Sequence, residues 1–319
     1  MHINNCYGAS NTESEDTNLR VGFYSTTCPM AESIVSNVVR NASISNHRIA
    51  AILLRLHFHD CFVEGCDGSI LIDNGINSEK NAFGHQGVEG FNEIQIAKSL
   101  IESECPGIVS CADIVALAAR DALFLSKFGV RYDVPTGRRD GLVSNISLAG
   151  IMPEVDESIE SIKSKFISKG FTAKELVILS GAHSIGTTAC FFMPKRLYNF
   201  TNKNDPDPSI NKAFLSELQF LCPINGDVNA RIPLDMVSSH VMDDQILRNI
   251  QNGFAVIASD ARLYDESETK QVIDSYSSLI YGSSSSFMED FTAAIVKMGK
   301  LGVKTGLNGE IRKQCNSFN

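Results

Sequence analysis

The segment LLRLHFHDCFVEGCDGSI, residues 53–70, constrains the fold of this chain more than any other. It reads as an apolar helix on which Arg55 and His59 stand at i, i+4 and so share one face, with Phe58 beside them. A guanidinium and an imidazole converging there can stabilise an anion and move a proton. Asp60, Asp67 and Ser69, with carbonyls between them, supply hard oxygen ligands of the kind calcium prefers. Cys61 and Cys66 are placed to staple the turn that follows.

At 319 residues the chain is long enough for a large core, in one domain or two closely joined lobes. Hydrophobic residues make up 43% and charged residues 20%, as in an ordinary soluble globular protein. The net charge is −9 and no Lys/Arg-rich run occurs, which argues against nucleic acid and anionic membrane as partners. No stretch approaches the roughly 18 continuous apolar residues of a membrane helix. Residues 1–18 are polar and lack a signal-peptide core, which alone would suggest the cytosol. Nine cysteines without a CxxC pair, and sequons at Asn41, Asn145 and Asn199, argue instead for an oxidising compartment. The expectation is a disordered or non-native N-terminal tail over 1–18, with no visible signal peptide and Cys6 as the odd thiol. The ordered part then begins near Leu19.

From there helical periodicity dominates. It predicts helices over Ala31–Ile44, His47–Asp60, Phe91–Ser103, Ser110–Lys127, Thr172–His183, Met193–Tyr198, Pro208–Phe220, Asp243–Asn252, Glu268–Tyr281 and Ser286–Met298. Thr172 and Glu175 form the S/T-x-x-E capping pattern at one start. Short strand pieces are predicted at Tyr132–Val134 and Glu310–Arg312, and the serines at 283–286 read as a turn. No repeat or domain-scale linker interrupts the pattern.

His183 follows the apolar run in ELVILSGAHSIG, residues 175–186. With LLRLHFHDCF, TGRRDG at 136–141 and LDMVSSHVMDD at 234–244, the chain resembles the secretory plant peroxidases, the class III family of haem peroxidases, over about residues 19–316. The resemblance implies a mainly α, two-lobed fold with haem b between the lobes. The distal lobe would take about 19–150 plus the C-terminal helix, and the proximal lobe about 151–265. It implies an enzyme that reduces hydrogen peroxide and oxidises phenolic or related small donors by one-electron steps, secreted to the cell wall or held in the vacuole. A monomer is expected, since no apolar helix face is left obviously unpaired.

Carried over by position, Arg55 and His59 match the distal pair, Phe58 the distal aromatic, and His183 the proximal haem ligand. Asp260 matches the carboxylate that holds the proximal imidazole, Arg48 a haem propionate partner, and Phe83, Pro153 and Phe192 the exposed substrate edge. The chemistry asks for these types: a neutral imidazole takes a proton from one peroxide oxygen and returns it to the other, while an always-charged guanidinium stabilises the leaving anion. The family's disulfides map to Cys28–Cys105, Cys61–Cys66, Cys111–Cys315 and Cys190–Cys222. Two Ca²⁺ sites map as well. The distal one takes Asp60, Asp67 and Ser69 with the carbonyls of Val63 and Gly65. The proximal one takes Ser184, Asp235, Ser238 and Asp243 with the carbonyl of Val241. The chain has no tryptophan, and Leu234 stands where the intracellular relatives carry one against the proximal histidine.

Two departures stand out. In SEKNAFGHQ, His85 replaces the Asn whose amide oxygen accepts the distal histidine N–H, and Glu89 replaces the usual Arg before Gly-Phe. An imidazole accepts only when neutral and in the right tautomer, so slower peroxide activation with a steeper acid loss is expected. Glu154 and Asp156 near Pro153 read as a solvated acidic loop. His57 faces away from Arg55 by helix phase and reads as structural, and Arg138, Arg139 and Asp140 as a buried ion-pair network joining the lobes. His2, His47 and His240 receive no role. The alternative to an active enzyme is a catalytically weak, calcium-stabilised extracellular homologue with a binding role. A zinc hydrolase is a poor third, because His57 and His59 point to different faces and no HExxH occurs.

Overall fold

A computed structural model describes residues 18–126, 131–277 and 284–319. The expected tail with Cys6, the expected helix ends at Lys127 and Tyr281, and Ser283 of the serine turn lie outside the described residues. In chain order the helices are α1 (Ala31–Ser45), α2 (Ile49–Phe62), α3 (Phe91–Glu104), α4 (Cys111–Leu125), α5 (Ile159–Ser168) and α6 (Ala173–Ser180). They continue as α7 (Pro194–Tyr198), α8 (Lys212–Leu221), α9 (Gln245–Gln251), α10 (Ala258–Arg262), α11 (Ser267–Ser277) and α12 (Ser284–Met298).

Helix α2 is buried on almost every side because it is apolar on almost every side, and it packs against α4, α1 and α12. Helix α4 lies deeper still. Its alanines let neighbours approach, every residue from Cys111 to Leu123 is buried, and the Ser110 hydroxyl caps it by accepting from Asp113 N–H at 3.1 Å. The Thr172–Glu175 capping box forms as expected and starts α6. Helix α6 runs into a 3-10 turn, Gly181–Ser184, that carries His183. Gly181 sits against α12 so closely that a Cβ there would lie 2.6 Å from the Phe287 ring. Only glycine lets the His183 turn press onto α12.

The strand expectations need correction. Tyr132–Val134 pairs with nothing in the described structure, and of Glu310–Arg312 only Glu310 forms an isolated bridge, with Asp140. The two-stranded antiparallel sheet is instead β1 (Thr187–Ala189) with β2 (Arg231–Pro233), in register Thr188↔Ile232. Two helices were also missed. Helix α5 has a Ser158 cap and buries Ile159, Ile162 and Phe166, a helical spacing that was available in the sequence. Helix α10, at five residues, is too short to show a period.

All four expected disulfides are formed. Cys111–Cys315 fastens the start of α4 to the C-terminal segment, and Cys190–Cys222 ties the residue after β1 to the end of α8. Arg138, Arg139 and Asp140 are structural, but they fasten α4 to the C-terminal segment rather than cross between lobes. Arg138 pairs with Asp113 at 2.7 Å and donates to the Gly299 carbonyl, while Asp140 accepts from the N–H groups of Cys111, Ala112 and Arg312.

Candidate active site

One cavity of about 970 Å³ opens where α2, the α6 turn, β1, β2 and α10 meet. Arg55, Phe58 and His59 reach it from α2, and His183 reaches it from the far wall. The sequence expectation that these side chains meet at one place holds as geometry.

His183 Nδ1 lies 2.8 Å from Asp260 Oδ1. Burial opposes a charge on this imidazole, but the Asp260 carboxylate outweighs it and raises the proton affinity of the ring. The ring is 37% accessible although it lies inside the fold, because its free edge faces the cavity. Asp260 is buried, and its second oxygen has no hydrogen-bond partner.

On the opposite wall burial holds His59 well below the ordinary histidine value, and the charges of Arg55, His85 and His183 push the same way. It is therefore neutral near pH 7. Arg55 donates to the Gln86 carbonyl at 3.0 Å, and burial with the nearby Arg231 lowers its pKa to about 10. Phe58 stands edge-on to His59, with ring centroids 5.6 Å apart.

His85 occupies the place expected from its motif. Its Nδ1 is 2.8 Å from His59 Nδ1, so one and only one of those two nitrogens carries a hydrogen. Its Nε2 faces Glu79 at 3.6 Å, with both side chains fully buried. Glu79 escaped the sequence reading although it stands in the same motif. Burial raises its pKa, and the nearby His85 and Ser69 only partly offset this.

The two oxygen cages come together to different degrees. At the distal one, Asp60 Oδ1, Ser69 Oγ and both Glu79 oxygens are buried without partners. Burial, with Asp67 and Glu79 nearby, raises the Asp60 pKa. Such orphaned oxygens fit a cation. The Asp67 carboxylate needs glycine at 141, where a Cβ would lie 2.1 Å from Oδ2. Two cationic partners are already present: Lys304 Nζ is 2.5 Å from Asp67 Oδ2, and Lys169 Nζ donates to the Val63 carbonyl at 2.6 Å. Gly65 packs its backbone on Leu301 and Gly302. At the proximal cage all five expected groups meet. Ser184 Oγ donates to the Val241 carbonyl at 2.8 Å and lies 3.1 Å from Asp243, and Ser238 Oγ lies 3.2 Å from Asp235 and 3.1 Å from Asp243. Among the described residues no three His, Cys, Asp or Glu side chains form a metal site by themselves, so hydroxyl and carbonyl oxygens are needed at both.

The rim of the cavity carries Phe83 and Phe191, both about half exposed, with Pro153 and the partly buried Phe192. Glu154 and Asp156 line it too, and Asp156 lies 3.6 Å from Lys195. Phe191, Leu234 and Arg231 also line it; no role was expected of Phe191 or Arg231. Arg48 also lines the cavity, but its guanidinium is paired with Glu89 at 3.1 Å. His57 is buried and touches Cys61, away from the cavity, as its helix phase implied.

A mainly helical fold in which an arginine and a buried histidine face a carboxylate-backed histidine across one cavity defines a peroxidase. The chain matches the peroxidase family over residues 35–278 and belongs to it, on the side of the plant class III enzymes. It is 61% identical over 305 residues to Peroxidase 43 of Arabidopsis thaliana, covering 95% of this chain and 93% of that protein. Peroxidase 13 of the same plant is 54% identical over 303 residues, covering 94% and 93%, and Peroxidase N1 of Nicotiana tabacum 46% over 300 residues, covering 94% and 90%.

Proposed function

We propose that this peroxidase uses haem b to reduce hydrogen peroxide and to oxidise small phenolic or related donors in one-electron steps. The observation that carries this reading is Arg55 and His59 facing the Asp260-backed His183 across one cavity. Asp260 occupies Nδ1 of His183, so the other ring nitrogen is left to ligate iron, and the carboxylate makes it a stronger donor. Haem bound there supplies the redox chemistry that side chains lack.

The chain's own residues move the protons. His59, neutral, takes one from the nearer peroxide oxygen and returns it to the other, while Arg55 stabilises the charge that develops. His85 directs its Nε2–H toward Glu79 and offers Nδ1 to His59. That leaves the cavity-facing nitrogen of His59 free to act as base. Phe58 walls the site, Arg48 would hold a haem propionate, and Phe83, Pro153 and Phe192, joined by Phe191, form the donor edge. Ca²⁺ at the two cages would fix Asp60 beside His59 and Ser184 beside His183.

Residues 19–319 are read as one domain, with a distal lobe over about 19–150 plus the C-terminal helix and a proximal lobe over about 151–265. The disulfides and sequons support secretion, to the wall or the vacuole, as a monomer. Among the described residues no helix is long and apolar enough to cross a membrane. The catalytically weak binding homologue is not favoured, since named peroxidases match over nearly the whole chain. The test is an absorption spectrum of the calcium-loaded, haem-reconstituted chain before and after one equivalent of peroxide. A ferric high-spin band that drops promptly and recovers with a phenol is expected. Haem uptake without any response to peroxide would overturn the reading.

A further inference from the structure

Between α2 and β2 the cavity rim gathers arginines around a single carboxylate. Glu89 Oε2 is 3.1 Å from Arg48 Nη2, and its Oε1 is 3.4 Å from Arg231 Nη2. At Gly87 beside them, a Cβ would lie 3.4 Å from Arg231 Nη2 and 3.6 Å from Arg55 Nη1, so those two head groups flank one glycine. The charge of Arg231 disfavours that of Arg55, and Glu89 offsets it. The three side chains of the ion-paired group are each about a third accessible (Arg48 33%, Arg231 36%, Glu89 39%), so the notch lies at the solvent edge of the cavity. Elsewhere the rim carries aromatic and acidic groups, Phe83, Phe191, Glu154 and Asp156 among them, and its cation there, Lys195, is single and faces Asp156 at 3.6 Å.

An apolar macrocycle with carboxylate arms buries its ring and leaves the arms where cations and water meet. On this rim that place is the notch of Arg48 and Arg231, and Glu89 already sits in it. We infer that Glu89 competes with the cofactor's carboxylates for Arg48 and Arg231, and so sets how fast the protein releases its tetrapyrrole. The inference rests on the haem reading and goes beyond it. Two guanidinium charges meet one protein carboxylate, and a ligand carboxylate added beside Glu89 meets repulsion as well as attraction. For partly exposed charges this amounts to a change in release rate on the order of fivefold. A strut role predicts the opposite sign: if Glu89 only held the two arginines in place, removing it would loosen the cofactor.

The experiment follows haem transfer from the reconstituted full chain to excess apomyoglobin, for the wild type, Glu89→Gln and Arg231→Gln, with circular dichroism to verify each fold. Glu89→Gln should lose haem about fivefold more slowly and Arg231→Gln faster. Both differences should vanish with haem dimethyl ester, which has no carboxylates to compete. Equal or faster loss from Glu89→Gln, or an effect that persists with the ester, overturns the inference while leaving haem binding intact. A wild-type chain that takes up no haem at all overturns the haem reading and this inference together.

Discussion

His57 makes α2 acid-labile, and the size of the effect follows from its surroundings. The ring is buried, touches Cys61, and lies close enough to Arg138 for that charge to oppose protonation. Burial first and Arg138 second lower its pKa to about 3, against about 6.5 for a free histidine. Between those values the unfolded chain binds a proton that the folded chain refuses. Stability from this group is therefore complete above about pH 6.5 and is lost as the pH falls toward 3. At pH 5 the gap is about 1.5 pH units, or about 2 kcal/mol at 1.36 kcal/mol per unit. His57→Gln removes the titrating group and keeps a polar side chain of similar length. Guanidinium unfolding of the calcium-loaded, disulfide-intact chain at pH 7 and at pH 5 gives two stabilities for each protein. The loss from pH 7 to pH 5 should be about 2 kcal/mol smaller in the variant, whatever the substitution costs at pH 7. Equal losses in the two proteins would mean that His57 is protonated in the fold or that α2 opens before the chain unfolds, and the reasoning would fail.

Lys304 supplies part of the charge that the distal carboxylates need, so Lys304→Met should make the protein lean harder on calcium. The fall in melting temperature on adding a chelator is then larger in the variant than in the wild type, and an equal fall would count against this. His85→Leu leaves the His59 Nδ1–H buried with no acceptor and should slow the stopped-flow reaction with peroxide about 100-fold. His85→Asn should stay within about tenfold of the wild type, because an amide oxygen accepts at any pH; equal rates for the two variants would refute the acceptor role. Replacing Cys111 and Cys315 together by Ala opens a closure of 204 residues and should cost about 5 kcal/mol in denaturant unfolding.

The helices were legible because burial imposes its period on the sequence. Thr172 and Glu175 announced one start, and the apolar run around Arg55 announced a helix sunk in the core. What failed was short structure. Three-residue strands such as Arg231–Pro233 bury one side chain, Ile232, and a single buried residue has no period to detect. Helix α5 is a different case: Ile159, Ile162 and Phe166 carried the signal, but the acidic stretch before them reads as loop and masked it.

The same distinction explains the site. Arg55, His59 and His183 were recognisable because each lies in a long apolar stretch where a polar group is costly and so must have a use. Glu79, Glu89 and Arg231 lie on turns and a strand end, where charged residues are ordinary and sequence context says nothing of their partners. Their significance is tertiary. Glu79 matters because the loop before α3 folds it under His85, with both side chains fully buried. Glu89 matters because α2 and β2, which the sequence never links, bring Arg48 and Arg231 to the same carboxylate. A reversed charge next to Gly-Phe looks like a surface change until β2 is in place. With Arg231 opposite, Glu89 meets two arginines at once on the cavity rim, a contact that its motif alone does not imply.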